Sequence, residues 1–141
     1  VAYCTQQDLV DRIGAKLLLE VSDLERTGRI NTDRVDTACD DATNTVNGYV
    51  QARHTVPLSP VPTLLKKLAV DLALEQLFVA RGFSADSSDQ AIAKAAETAR
   101  KTLELIAKGV VALGVEQPKR DQAAQVVAPD RVFDREKMEG F

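Results

Sequence analysis

Tryptophan is absent from this chain, and two tyrosines and four phenylalanines are its only aromatic residues. The core must therefore be built from Leu, Val, Ile and Ala, a set that suits packed helices. Cys4 and Cys39 are the only cysteines. Two thiols without a secretion signal do not make a disulfide framework. The opening VAYCTQQDLVDR has neither the basic n-region nor the apolar h-region of a signal peptide. A reducing cytoplasm is the compartment this implies, with both thiols acting as small hydrophobes. A basic excess is missing too: the net charge is −3 and the pI near 5.2. That argues against a dedicated nucleic-acid binder. Internal repeats, low-complexity tracts and uncharged apolar runs of membrane-spanning length, about 20 residues, are all lacking.

What is present is one domain's worth of chain, 141 residues with a 45% hydrophobic share. It is organised around PVPTLLKKLAVDLALEQLFVARG, Pro60 to Gly82. Leu64, Leu65, Leu68, Val70, Leu72, Leu74, Leu77, Phe78 and Val79 leave this helix almost no polar face. Lys67, Asp71 and Glu75, at i, i+4 and i+8, form one row of charges on its surface. A helix apolar nearly all round must be covered on more than one side. The spacing predicts an all-α bundle of about four to five helices, with this one at its centre.

Before it, Thr5 with Asp8 resembles a capping box for a short helix through Leu9, Val10 and Ile13, stopped by Gly14. Ala15 to Val21 is a second short helix or a turn. The stretch DLERTGRINTDR, Asp23 to Arg34, invites comparison with a calcium loop. Its twelfth position, which needs a bidentate carboxylate, is Arg34. A polar turn into a helix capped by Asn31 or Thr32 is the plainer reading. Val35, Ala38, Cys39, Ala42, Val46, Tyr49 and Val50 then mark one face of a helix over about Asp33 to Ala52. Asp33, Asp36, Asp40 and Asp41 lie on or near the other face, placed to suit the helix dipole. Neither Asp36 and Asp40 nor His54, the only histidine, has a nucleophile or second base at a recognisable spacing. No catalytic residue, metal ligand or cofactor site is therefore assigned. His54 is expected to act as a cation at a helix end, before a turn stiffened by Pro57, Pro60 and Pro62.

After Gly82 a polar loop leads to a helix capped at Ser87 or Ser88. Its buried stripe is Ile92, Ala95, Ala96, Ala99, Leu103 and Ile106. Lys108 and Gly109 end it, and Val110 to Val115 is expected to pack back as a short extended segment. The remainder, residues 118–141, differs in kind from the helical domain of residues 1–117. It has no sustained period, yet carries apolar anchors at Val126–Val127, Val132–Phe133, Met138 and Phe141. Arg131 and Arg135 flank the aromatic. Spaced anchors on a polar segment predict an extended C-terminal arm that orders on a partner. Arg131, Val132, Phe133, Arg135, Met138 and Phe141 are its expected interface residues.

Several stretches carry a more specific likeness: AYCTQQDLVDRIG, TGRI, GYVQARHTVPLSPVP, LLKKLAVDLA and the ending RVFDREKMEGF. Together, and in this order, the chain resembles the Mu-like phage and prophage head–tail connector family, also called adaptor or head completion proteins. His54 stands where that family more often has Tyr, which suits a packing role. The resemblance implies a structural virion protein and not an enzyme. It implies a homo-oligomeric ring, usually of about twelve copies, seated on the portal protein in the virion neck. Such a ring, assembled in the bacterial host cytoplasm, extends the DNA channel and docks a tail or tail-terminator protein. Genomic DNA would pass through without sequence-specific binding, and no membrane is involved. An acidic body suits a channel in which DNA must slide, because net positive charge would hold phosphate. An arm of 24 residues, counted from 118 to 141, reaches about 80 Å when fully extended, enough to reach a neighbour. The alternative is a tail-completion or other helical protein-interaction subunit that forms no ring. Lys66 and Lys67 are poor evidence for helix-turn-helix DNA recognition, because their helix is too apolar to lie exposed in a groove.

Overall fold

The computed structural model describes residues 2–84 and 87–114. Five helices follow in chain order: α1 (Gln6–Ile13), α2 (Ala15–Ser22), α3 (Thr32–Val50), α4 (Thr63–Arg81) and α5 (Ser87–Ala107). The described residues contain no strand. They form an all-α bundle in which α4 packs on each of the other four helices. The long helices α3, α4 and α5 meet pairwise, and the short α1–α2 pair covers the remaining flank of α3 and α4. The domain boundary drawn at residue 117, and the whole arm after it, lie outside the described residues.

Local chemistry sets the helix ends. Thr5 and Asp8 form a reciprocal capping box: the Thr5 amide donates to the Asp8 carboxylate at 2.8 Å and the Asp8 amide donates to Thr5 Oγ1 at 3.3 Å. Gly14, at φ 90, closes α1 by donating to the Val10 carbonyl at 2.7 Å. Its own carbonyl then accepts from Leu18 to open α2. A side chain would be strained at that φ, so glycine suits this abrupt corner. Asn31 caps α3 by accepting from the Arg34 amide at 3.1 Å. In the turn before it, the Asp23 carboxylate accepts from the amides of Thr27 and Gly28 at 2.8 and 2.7 Å. Glu25 pairs with Arg34 at 2.8 Å. The acids compared above with calcium ligands are thus tied to their own turn.

The core is aliphatic, as the composition requires. Leu9, Leu18, Val35, Val46, Leu65, Leu74, Phe78 and Leu103 are fully buried. Every residue from Leu68 to Leu74 is buried, nearly two full turns of α4, so this segment is covered on all sides. The α5 stripe is as read from the sequence, with Ala96, Ala99, Leu103 and Ile106 buried and Ile92 packed at its edge. Beyond α5, Val111 and Leu113 do pack back on the core, without forming a strand. Gly109, at φ 82, permits a close approach there. A Cβ on it would lie 2.5 Å from Cζ of Arg53, whose guanidinium donates to the Lys108 carbonyl at 3.2 Å.

Two expectations are corrected. The row Lys67, Asp71, Glu75 is not simply a solvated stripe, because Asp71 is only 2% exposed. Arg12 of α1 reaches over it, Nη1 to Oδ1 at 2.8 Å, and Lys67 meets Oδ2 at 3.2 Å. The Arg12 contact is ionic and lacks in-line hydrogen-bond geometry. Glu75 is engaged by Arg100 of α5. The second correction is His54, which is 6% exposed and therefore buried, not set out in solvent at the helix end. Its amide donates to the Val50 carbonyl and its Nδ1 has no hydrogen-bond partner. The ring is packed inside the fold.

Leu68→Ala and Leu72→Ala are each expected to cost about 2–5 kcal/mol in urea unfolding, the range for truncating a buried leucine. Unchanged unfolding in both would remove α4 from the centre of the bundle. Arg12→Ala should cost about 1–3 kcal/mol, because it strips a partner from a buried carboxylate. The double variant Arg12→Met/Asp71→Leu should recover most of that loss. A double variant as unstable as the single one would show that the charge pair itself is required.

Candidate assembly surface

The six arm residues assigned from sequence, Arg131, Val132, Phe133, Arg135, Met138 and Phe141, lie outside the described residues. Other surfaces therefore carry what the structure shows. Among the described residues, the exposed large apolar side chains are Val79, Phe83, Leu105 and Val110. They divide into two places. Val79, 58% exposed, and Phe83 lie four residues apart at the C-terminal end of α4, with exposed Ala80 between them. Val110, 70% exposed, and Leu105 lie at the C-terminal end of α5. Helix α5 starts five residues after Gly82 and runs 21 residues, about 30 Å, from the first place to the second. The two apolar edges thus stand at opposite ends of the bundle.

Next to the first edge is a groove of about 440 Å³ between the start of α3 and the end of α4, lined by Asp33, Arg34, Ala38, Gln76, Leu77 and Ala80. The outer face of α3 continues from its rim with Asp36, Asp40 and Asp41, all exposed. This outer face of α3 is acidic, which disfavours a phosphate backbone. The lysines weighed for phosphate contact are engaged: Lys66 pairs with Asp8 at 3.1 Å and Lys67 with Asp71. Asp40 and His54 are fourteen residues apart along α3 and its following turn, roughly 20 Å by helical rise. The fold does not gather the carboxylates and the histidine that sequence considered into one site.

Sequence reading missed the hub that shapes the first edge. Arg81, at the end of α4, pairs with Glu20 of α2 at 3.3 Å and with Asp89 of α5, and its guanidinium lies 4.9 Å over the Phe78 ring. Asp89 is buried and also accepts from the Ser84 amide at 2.7 Å and from Ser84 Oγ at 3.0 Å. An acid in the first turn of a predicted helix was the signal available; its distant partner was not. The Ser84 amide, helped by Arg81, holds the Asp89 carboxyl below the usual range despite burial. For Asp8, burial pushes upward, but Lys66 and the Thr5 amide and hydroxyl together bring it below. The Thr27 and Gly28 amides lower Asp23.

The fold thus defines a small all-α protein with an aliphatic core and two apolar edges. Residues 3–128 match the family described as Bacteriophage Mu, Gp36, and the chain belongs to that family. It is also similar to the Mu-like prophage FluMu protein gp36 of Haemophilus influenzae, 26% identical over 145 residues that cover 100% of this chain and 99% of that protein. It is a protein of a Mu-like phage.

The lowered carboxyls have a definite sign. Their folded values lie below their unfolded ones, so their stabilisation is complete above the ordinary aspartate value near about 4 and is lost as pH falls through the folded values. The melting temperature should hold between about pH 7 and 5 and fall below about pH 4. Asp89→Ala should melt lower at neutral pH and lose less on acidification. An acid loss identical to wild type would show that Asp89 contributes nothing to it.

Proposed function

We propose that this protein is a head–tail connector, or adaptor, of a Mu-like phage: a structural subunit and not an enzyme. Its copies form a ring on the portal protein in the virion neck, extending the DNA channel and docking a tail or tail-terminator protein. Family membership supports a phage role. The observation that carries the ring is the pair of unlike apolar edges, Val79–Phe83 and Leu105–Val110, about 30 Å apart at opposite ends of α5. Rings close through heterologous contacts, in which one patch meets a different patch on the next copy. A two-fold dimer needs only one self-complementary patch. The acidic face of α3 supports a wall that DNA slides past. The C-terminal arm, through Val132, Phe133, Met138 and Phe141, supplies a further attachment to a neighbouring copy, the portal or the tail. Each anchor contributes roughly 1.5–3 kcal/mol when fully covered, less the cost of ordering the chain.

Negative-stain electron microscopy of the protein with its portal should show a ring on the portal's lower face. Val79→Glu and Val110→Glu should each melt within about 0.5 kcal/mol of wild type, as surface changes do, and each should abolish the ring. Deleting residues 130–141 should leave the helical signal and melting of the body nearly unchanged while heads and tails fail to join. Wild-type infectivity in the truncated phage would remove the arm from the proposal. A stable monomer in the presence of portal would favour the tail-completion or other non-ring subunit.

A further inference from the structure

The chemistry left unused by this reading lies at the start of the chain. Residues 2–5 form a short non-helical strap laid along α3. The Tyr3 amide donates to Thr43 Oγ1 at 2.8 Å, the Tyr3 hydroxyl donates to Asn47 Oδ1, and the Leu58 amide donates to the Tyr3 hydroxyl at 3.1 Å. Thr43 and Asn47 are one and two helical turns beyond Cys39, on the same face of α3. Thr43 Oγ1 donates in turn to the Cys39 carbonyl at 2.8 Å. Docking Tyr3 on that face brings the next residue, Cys4, to the side of α3 that carries Cys39, and both thiols are buried in the same core cluster. They are free cysteines, 1% and 2% exposed.

We propose that Cys4 and Cys39 are an oxidative modification site, a dithiol that a hydroperoxide converts into an intramolecular disulfide locking the strap to α3. The pair's surroundings set the two thiols apart: the neighbouring Cys4 lowers Cys39, whereas the neighbouring Cys39, then burial, pushes Cys4 up. Cys39 is therefore the attacking sulfur. Its thiolate attacks one peroxide oxygen, the O–O bond breaks, and the departing hydroxide takes a proton to become water. The product is a sulfenic acid on Cys39. The Cys4 sulfur then displaces the hydroxyl from the Cys39 sulfur. The S–O bond breaks, the S–S bond forms, and the leaving hydroxide takes the Cys4 proton as a second water. Two thiols are oxidised and one peroxide is reduced to two waters. Access comes from local opening of residues 2–4, which precede the Thr5 cap of α1 and are tied to α3 and Leu58 through the hydrogen bonds of Tyr3. In a reducing cytoplasm the pair stays a dithiol; in an oxidising surrounding it closes. The disulfide would bridge residues 4 and 39 and restrict the unfolded chain across that loop.

The test uses the full-length protein, reduced, freed of reductant and treated with hydrogen peroxide, in native buffer and in urea. Intact mass spectrometry should show loss of two hydrogens. A non-reducing tryptic map should join the peptide ending at Arg12 to the peptide Val35–Arg53, reversibly with dithiothreitol. Closure should be at least about tenfold faster in native buffer than in urea, because the fold supplies the proximity. The melting temperature should rise on the order of 10 °C on oxidation and return on reduction. Cys4→Ser should instead accumulate oxygen on Cys39, and Cys39→Ser should react more slowly at Cys4. Both thiols still titrating after peroxide, oxygen addition to wild type without cross-linking, or closure as fast in urea as in buffer would each overturn the proposal.

Discussion

Helix α4 has no side it can give to water between Leu68 and Leu74, and the rest of the fold follows from covering that segment. A helix buried all round needs neighbours on every flank. Helices α3 and α5 supply two of them, and the α1–α2 pair completes the cover. The one polar residue in this segment is Asp71, held by Arg12 and Lys67. A buried carboxylate is tolerated only with such partners, since its desolvation cost otherwise exceeds what packing returns. The contact also fixes α1 against α4 at one register, because Arg12 reaches Asp71 only where the two helices are correctly aligned.

The periphery is fastened by polar hubs placed where the chain changes direction. Tyr3 ties the opening strap, α3 and the proline turn together through Thr43, Asn47 and Leu58. Arg81 ties α2, α4 and α5 together through Glu20 and Asp89. Arg53 holds the end of α5 through the Lys108 carbonyl, where Gly109 leaves room for its guanidinium. The Arg53 and Arg81 hubs pair carbonyl or carboxylate groups at helix ends, and the Tyr3 hub takes up the Leu58 amide in the proline turn. The bundle is thus closed at its ends by side chains and along its middle by aliphatic packing. Its outer surface carries an exposed apolar edge at each end and acids along α3.

Much of this architecture is legible in the sequence. The periodicity of residues 63–81 and the surrounding apolar stripes specify an all-α bundle around α4, because helical period and burial are local properties of the chain. Thr5–Asp8, Gly14 and Asn31 mark helix ends for the same reason, since capping involves residues within one turn. What only the tertiary structure decided is how distant residues meet. Asp71 looks like a surface charge until Arg12 is folded over it, and His54 looks like an exposed helix-end residue until the fold buries it. Cys4 and Cys39 look like two unrelated small hydrophobes until Tyr3 docks on Thr43 and Asn47. The opposite placement of Val79 and Val110 likewise depends on α5 running back along α4. Local sequence sets what each helix must bury; which side chains become neighbours across the bundle is set by how those buried faces are packed together.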